Sequence, residues 1–143
     1  MSTLPLKTTA LTISRTIAAS PDEVFDRWLD PSKPGSPWFG VAQAVVQPAV
    51  GGLFYHVVQF EGHDWAHYGR FIALDRPRRV AHTWVSEATR GLESVVELTL
   101  EPEGDQTLAT LRQTNVPDDE MGRRHEAGWG YVLDAIAGHL ASR

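Results

Sequence analysis

The chain has 143 residues, 42% of them hydrophobic, no cysteine and a formal net charge of −5. That length supports one buried core and is short for two, so a single domain over residues 1–143 is expected, with residues 1–10 a loose lead-in. The missing cysteines exclude disulfides and thiolate chemistry; arginines gather only at Arg76, Arg78, Arg79 and Arg123, Arg124, against a nucleic-acid partner; no apolar run approaches a membrane span or signal peptide, which points to a soluble cytoplasmic protein.

Residues 11–17 alternate Leu11, Ile13, Arg15, Ile17 with Thr12, Ser14, Thr16, the pattern of a half-buried strand. Ser20-Pro21-Asp22-Glu23 then reads as a helix start: a Ser N-cap, Pro in the first turn and Glu three residues on to complete a capping box. This helix puts Val24, Phe25, Trp28 and Leu29 on one face and stops at Asp30-Pro31, because the residue before proline avoids the α region. Three prolines in residues 31–37 make the next stretch a second short helical or loop piece that delivers Trp38 and Phe39. Strands follow at 41–47, 53–60, 65–74, 80–85, 92–101 and 106–115, separated by Gly51-Gly52, residues 61–64, Asp75-Arg76-Pro77 and residues 102–105. Short connections of this kind favour an antiparallel meander.

The chain closes with a helix predicted over 118–142. Trp129, Val132, Leu133, Ile136 and Leu140 form its apolar stripe, yet it carries Gly122, Gly128, Gly130 and Gly138. Each glycine inside a helix costs roughly 1 kcal/mol against alanine. The two that flank Trp129 are therefore expected to keep space open beside its ring, in a cavity between helix and sheet. The fold class is α+β, a curved antiparallel sheet covered by the long helix.

Several stretches together resemble the bacterial homologues of the activator of the ninety-kilodalton heat-shock chaperone ATPase (AHSA-type), within the wider superfamily of START lipid-transfer, birch-pollen-allergen and polyketide-cyclase domains. They are Leu-Thr-Ile-Ser-Arg-Thr-Ile-Ala-Ala-Ser-Pro-Asp-Glu-Val-Phe at 11–25, Gly51-Gly52-Leu53-Phe54, Gly-Arg-Phe-Ile-Ala-Leu-Asp-Arg-Pro at 69–77, and Val-Ala-His-Thr-Trp at 80–84. Further on come Ser-Val-Val-Glu-Leu-Thr-Leu-Glu at 94–101, Thr-Leu-Ala-Thr-Leu at 107–111, and Gly128-Trp129 with Leu133 and Leu140. The resemblance implies a helix-grip fold: a seven-stranded antiparallel sheet wrapping the C-terminal helix around a hydrophobic pocket, with two short helices between the first and second strands. It implies no single function, because carriers, receptors, cyclases and chaperone regulators share that fold. This chain departs from the family pattern where Pro34-Gly35-Ser36-Pro37 breaks the second short helix, and at Ala73, where members often carry an acid.

Strand periodicity then sorts the side chains. If Phe54 faces inward, as the family's Gly-Gly hairpin suggests, His56, Val58 and Phe60 follow; Val80 brings His82 and Trp84; the last strand adds Leu111 and Gln113. With His125, Trp129 and Leu133 from the helix and Trp38 and Phe39 from the proline-rich stretch, these make an apolar wall with a few polar points, the character of a small-molecule site. The expected partner is a small hydrophobic or amphipathic molecule bound by a carrier, sensor or stress-related lipid-binding module. The first alternative is a cyclase- or hydrolase-like enzyme using His56 or His82 as general acid or base, since imidazole titrates near neutrality. The second is a chaperone-associated module, acting through an exposed face with a chaperone or a homodimer partner. Both histidines also read as satisfied core residues, and Trp84 and Trp129 as packing. His63, Asp64 and His67 invite a metal, but no third ligand follows from any spacing rule, so neither metal nor cofactor is expected.

Overall fold

The structure, a computed structural model, describes residues 6–33, 36, 38, 41 and 43–141. Strand β1 (Thr8–Ile17) is followed by helix α1 (Pro21–Leu29), then β2 (Gln43–Val46), β3 (Leu53–Phe60), β4 (His63–Asp75), β5 (Arg79–Trp84), a 3₁₀ turn (Glu87–Thr89), β6 (Ser94–Glu103), β7 (Gln106–Pro117) and helix α2 (Glu120–Ala141). The seven strands form one antiparallel sheet in the order β1-β7-β6-β5-β4-β3-β2. Sheet order thus follows chain order except that β1 crosses to pair with β7. This is the curved sheet and long helix expected from the strand pattern. The second of the two short helices falls largely on residues outside the described set.

The α1 start is built as its sequence dictates. Ser20 takes an extended N-cap conformation and its Oγ accepts from the Glu23 N–H at 3.3 Å. Val24, Phe25 and Trp28 are buried, so α1 closes one end of the core. A capping box, which the periodicity did not expose, joins Ser86 and Thr89 around the 3₁₀ turn.

Two boundaries shift with consequences for the site. Strand β1 starts at Thr8 rather than Leu11, reaching into the stretch expected to be a lead-in; there Asp118 N–H donates to the Lys7 carbonyl at 2.8 Å. The β3–β4 turn is tighter than residues 61–64. Phe60 pairs with His63, leaving only Glu61 and Gly62 between them, both at positive φ (51° and 74°), the backbone of a two-residue hairpin turn. Strand β4 consequently begins early and carries His63, Trp65 and His67 onto the concave face.

Helix α2 buries Trp129, Leu133, Ile136 and Leu140 against the sheet, chiefly over β1 and β7. Its first turn is fastened by Asp119, whose Oδ1 accepts from the Gly122 N–H at 2.8 Å. Gly122 is a steric requirement: a Cβ there would stand 1.9 Å from the Pro117 carbonyl oxygen. The other glycines behave differently. Gly128 has nothing within 4 Å of its would-be Cβ and does keep space open next to Trp129. Gly130 does not, which corrects the reading that both flanking glycines serve one gap: it is buried on the β1 side, where a Cβ would meet Arg15 Nη2 at 3.3 Å. Successive helix positions are about 100° apart, so residues 128 and 130 face different neighbours.

Two outcomes test these local arguments. Ser20→Ala is expected to lower unfolding stability by about 1 kcal/mol, seen as a reduced urea midpoint with an unchanged m-value. Gly122→Ala should destabilise by more than about 2 kcal/mol, because the clash is with backbone that cannot rotate away. The same change at Gly128 should raise stability by about 0.5–1 kcal/mol through helix propensity. Equal effects at the two glycines would sink the steric account of Gly122.

Candidate functional site

Because α2 rests on the β1 and β7 side of the sheet, the β3–β4 hairpin at the other side stands free of it, and a wedge opens between them. The wedge is a cleft of about 580 Å³. One wall is His56, Val58 and Phe60 of β3 with His63, Trp65 and His67 of β4; the facing wall is Met121, Arg124, His125, Gly128, Trp129, Tyr131 and Val132 of α2; Trp38 and Trp84 lie between. The cross-strand pairs Phe60–His63, Val58–Trp65 and His56–His67 place three rows of side chains on one face in register.

The inner end is made of rings. Trp84 and Trp129 lie 4.8 Å apart between centroids, Trp38 and His56 4.7 Å, and His67 and Trp84 4.7 Å. His56 and His67 stack at 4.5 Å with their planes 11° apart. Hydrogen bonds hold these rings at fixed angles. The Trp129 indole donates to Gln113 Oε1 at 2.7 Å, Gln113 Nε2 donates to Ser94 Oγ at 3.0 Å, and that hydroxyl donates to the Trp84 carbonyl at 2.7 Å. Trp38 Nε1 donates to the Trp28 carbonyl at 2.6 Å. His125 donates from Nδ1 to the Gly122 carbonyl at 2.8 Å, which leaves Nε2 to accept from the Trp84 indole at 3.4 Å.

Among the residues singled out from the sequence, Trp38, His56, Val58, Trp84, His125 and Trp129 line this cleft. Phe54, His82, Leu111, Gln113 and Leu133 do not: each is fully buried in the core behind it. Period 2 chose their face of the sheet correctly, but on β5 and β7 that face is covered by α1 and α2. Phe39 lies outside the described residues. Phe60, which strand periodicity put on this face, belongs to the wall; His63 and His67, weighed only for a metal, belong to it too, and Trp65, Met121 and Tyr131 join it without having been singled out. The signal for the β4 residues was available in the Glu61-Gly62 dipeptide, whose reading as a two-residue turn puts His63, Trp65 and His67 opposite Phe60, Val58 and His56. His63 and His67 do share a face; His63 Nε2 lies 3.1 Å from both Glu87 carboxylate oxygens. Among the described residues no three His, Asp or Glu side chains converge as metal ligands.

Burial sets the charge of the site. It pushes His56 down to about 2, with His67 and His82 adding to the effect. His67 goes down to about 4 through burial and the nearby His125, and His125 is itself lowered by burial. His82 goes down to about 4, again by burial. Its Nδ1 donates to the Thr83 carbonyl at 2.9 Å and its ring stacks on Phe54 at 4.5 Å. The imidazoles are thus neutral at pH 7, and His82, walled in by Phe54 and Phe71, has no open path to a molecule in the cleft.

The sign of the resulting pH dependence follows by linkage. Below the ordinary histidine value of about 6.5, the unfolded chain takes up protons that the folded chain refuses until about 4 at His67 and His82 and about 2 at His56. Stability is therefore complete above pH 6.5 and falls on acidification, at up to about 1.4 kcal/mol per pH unit for each such histidine. Urea unfolding at pH 7 and pH 5 should show this loss, and in His82→Phe the drop between the two pH values should be smaller by about 1–2 kcal/mol. An equally steep drop in the variant would remove His82 from the account.

With this geometry in view, comparison with known proteins gives a consistent placement. The family model for Activator of Hsp90 ATPase homolog 1-like protein matches residues 18–141. Comparison with curated proteins gives no match. Among solved structures, a protein from Rhizobium loti superposes with a TM-score of 0.79 at 21% identity, covering 96% of this chain and 100% of the other. An HSP90 activator from Plasmodium falciparum gives 0.75 at 20% identity, with 92% and 96% covered. The Aha1 dimer from Colwellia psychrerythraea gives 0.70 at 16% identity, with 92% and 96% covered. At these identities the structural likenesses establish the fold, and the family match, which takes in α1, strands β2 to β7 and α2, establishes that the chain belongs to the Activator of Hsp90 ATPase homolog 1-like family.

Proposed function

We propose that the protein binds a small apolar or amphipathic molecule in the cleft between the β3–β4 hairpin and α2, acting as a carrier or sensor. The observation that carries this reading is the cleft itself: about 580 Å³ of space walled mainly by aromatic and aliphatic side chains, with the neutral imidazoles of His56, His67 and His125 among its polar points. That size and composition match what small organic ligands occupy. Among the described residues, the side chains at its wall include no serine, threonine, cysteine, lysine or aspartate. Its innermost histidine, His56, is held near pKa 2 and is too weak a base to take a proton at pH 7, which weighs against the cyclase- or hydrolase-like alternative.

A second reading is favoured by the family and by the neighbours that are an HSP90 activator and an Aha1 dimer. It is a stress-related module that meets a chaperone, or a second copy of itself, in the cytoplasm. Phe60 and Tyr131, 61% and 77% exposed at the cleft rim, support a surface contact of that kind.

Gly128 separates the two readings, because it faces the cleft with free space above it. Wild-type protein is expected to take up N-phenyl-1-naphthylamine saturably with enhanced fluorescence. Gly128→Leu, which fills the space next to Trp129, should weaken that uptake at least about tenfold while its thermal midpoint stays equal or rises. Unaltered binding in Gly128→Leu would mean the probe sits elsewhere. No saturable uptake by wild type would leave the contact-surface reading as the stronger one.

A further inference from the structure

We propose, resting on the ligand-binding reading above, that the cleft takes a flat aryl ligand carrying one uncharged oxygen, a hydroxyl or a ketone, and that the stacked rings of His56 and His67 receive that oxygen.

The walls decide the shape. Trp38, Trp84 and Trp129 surround the inner end with ring centroids 4.7–4.8 Å from their neighbours. A flat aryl group gains offset or edge-on contact with each of these rings, whereas an acyl chain gains only buried area. Gly128 adds the slot: with nothing within 4 Å of a Cβ there, a planar group can lie against helix backbone beside Trp129.

The histidine pair decides the chemistry. His56 and His67 stand directly opposite on β3 and β4, their rings stacked at 4.5 Å and 11°. Near-parallel rings send their nitrogen lone pairs along parallel lines, so the two do not converge on one cation as metal ligands must. His56 is 3% exposed, and Nδ1 of each ring is sealed from solvent without a partner. A sealed bare lone pair costs less than a sealed unpaired N–H, which places the proton of each ring on Nε2. Neither Nε2 is among the sealed, unpartnered atoms and both rings line the cleft, so His56 offers one neutral N–H donor to an occupant, while the His67 ring, which also lies near the His56 and Trp65 carbonyls, shares its N–H between them and the occupant's oxygen. An uncharged oxygen accepts it. A carboxylate would carry an unpaired charge into an apolar site. The nearby cation, Arg124, sits at the rim with its side chain 70% exposed and its Nη2 2.9 Å from Glu120.

The test is competition for bound N-phenyl-1-naphthylamine on the full chain at pH 7, using 2-naphthol, naphthalene, 2-naphthoate and dodecan-1-ol. In wild type, 2-naphthol should compete about three- to tenfold better than naphthalene, the worth of one neutral hydrogen bond, and better still than 2-naphthoate or dodecan-1-ol. His56→Phe and, separately, His67→Phe should reduce that advantage, read as the ratio of 2-naphthol to naphthalene affinity within the same variant. ¹⁵N spectra of histidine-labelled wild type need no variant: Nε2 of the pair should shift with 2-naphthol and not with naphthalene. The assignment is overturned if dodecan-1-ol or 2-naphthoate competes best, if 2-naphthol and naphthalene are equal in wild type, if both variants keep the full advantage, or if the Nε2 signals do not move. Those results would leave the ligand-binding reading standing. Wild-type protein that takes up none of the probes overturns both.

Discussion

The seat of α2 on β1 and β7 is the contact on which the rest of the molecule depends. It is set at two points. At the start of the helix, Gly122 lets the backbone approach the Pro117 carbonyl so closely that a side chain would collide with it, and Asp119 fastens the first turn. About two turns further along, the buried Trp129 indole donates to Gln113 on β7. Between them these contacts tie the long helix to one side of a curved sheet. Burying Trp129, Leu133, Ile136 and Leu140 contributes about 1.5–3 kcal/mol each by transfer arguments, enough to make that seat the dominant tertiary contact of the helix. A helix that lies on one side of a curved sheet leaves the other side uncovered. The cleft exists because the sheet is wider than one helix can cover.

The uncovered region is closed at its inner end by rings, and their arrangement couples packing to polarity. The indoles of Trp38, Trp84 and Trp129 each find an acceptor, so their planes are held by directional bonds as well as by contact. His56, His67 and His82 fill the same cluster with ring volume while keeping nitrogen atoms in it. Burial holds them neutral, which spares the core a charge but leaves Nδ1 of His56 and His67 and Nε2 of His82 without partners among the described residues. A phenyl ring at these positions would pack comparably and leave no unpaired nitrogen. Keeping imidazoles here costs stability, and the proposed ligand gives His56 and His67 at the cleft a use for their nitrogens that the sealed His82 does not share.

Membership of the Activator of Hsp90 ATPase homolog 1-like family constrains the architecture more than the activity. Seven strands and a gripping helix can present an inner cavity, an open cleft or an outer contact face, and function resides in whichever of these the side chains equip. Here the equipment is concentrated at the hairpin end of the cleft, with Phe60 and Tyr131 exposed at its rim. The charged side chains near the opening, Glu61 and Arg124, are of opposite sign and lend it no strong electrostatic preference.

Local features were legible in the chain because their causes are local. Alternation along β1, β3 and β5 identified the inward face; Ser20-Pro21 identified the start of α1; and the stripe from Trp129 to Leu140 identified the buried side of α2. Each depends on period or on capping within a few residues. Even the early start of β4 was encoded locally, in a Glu61-Gly62 pair at positive φ. Which inward-facing residues meet a cavity and which meet the core was a different matter. Phe54, His56 and Val58 share one face of one strand, yet Phe54 is sealed while His56 and Val58 line open space. The distinction is where α2 ends its coverage, a consequence of sheet curvature and of close approach at Gly122. The two glycines beside Trp129 make the same point: one faces the cleft and the other Arg15, because the helix's direction across the sheet, set by contacts far apart in sequence, decides what lies opposite each position.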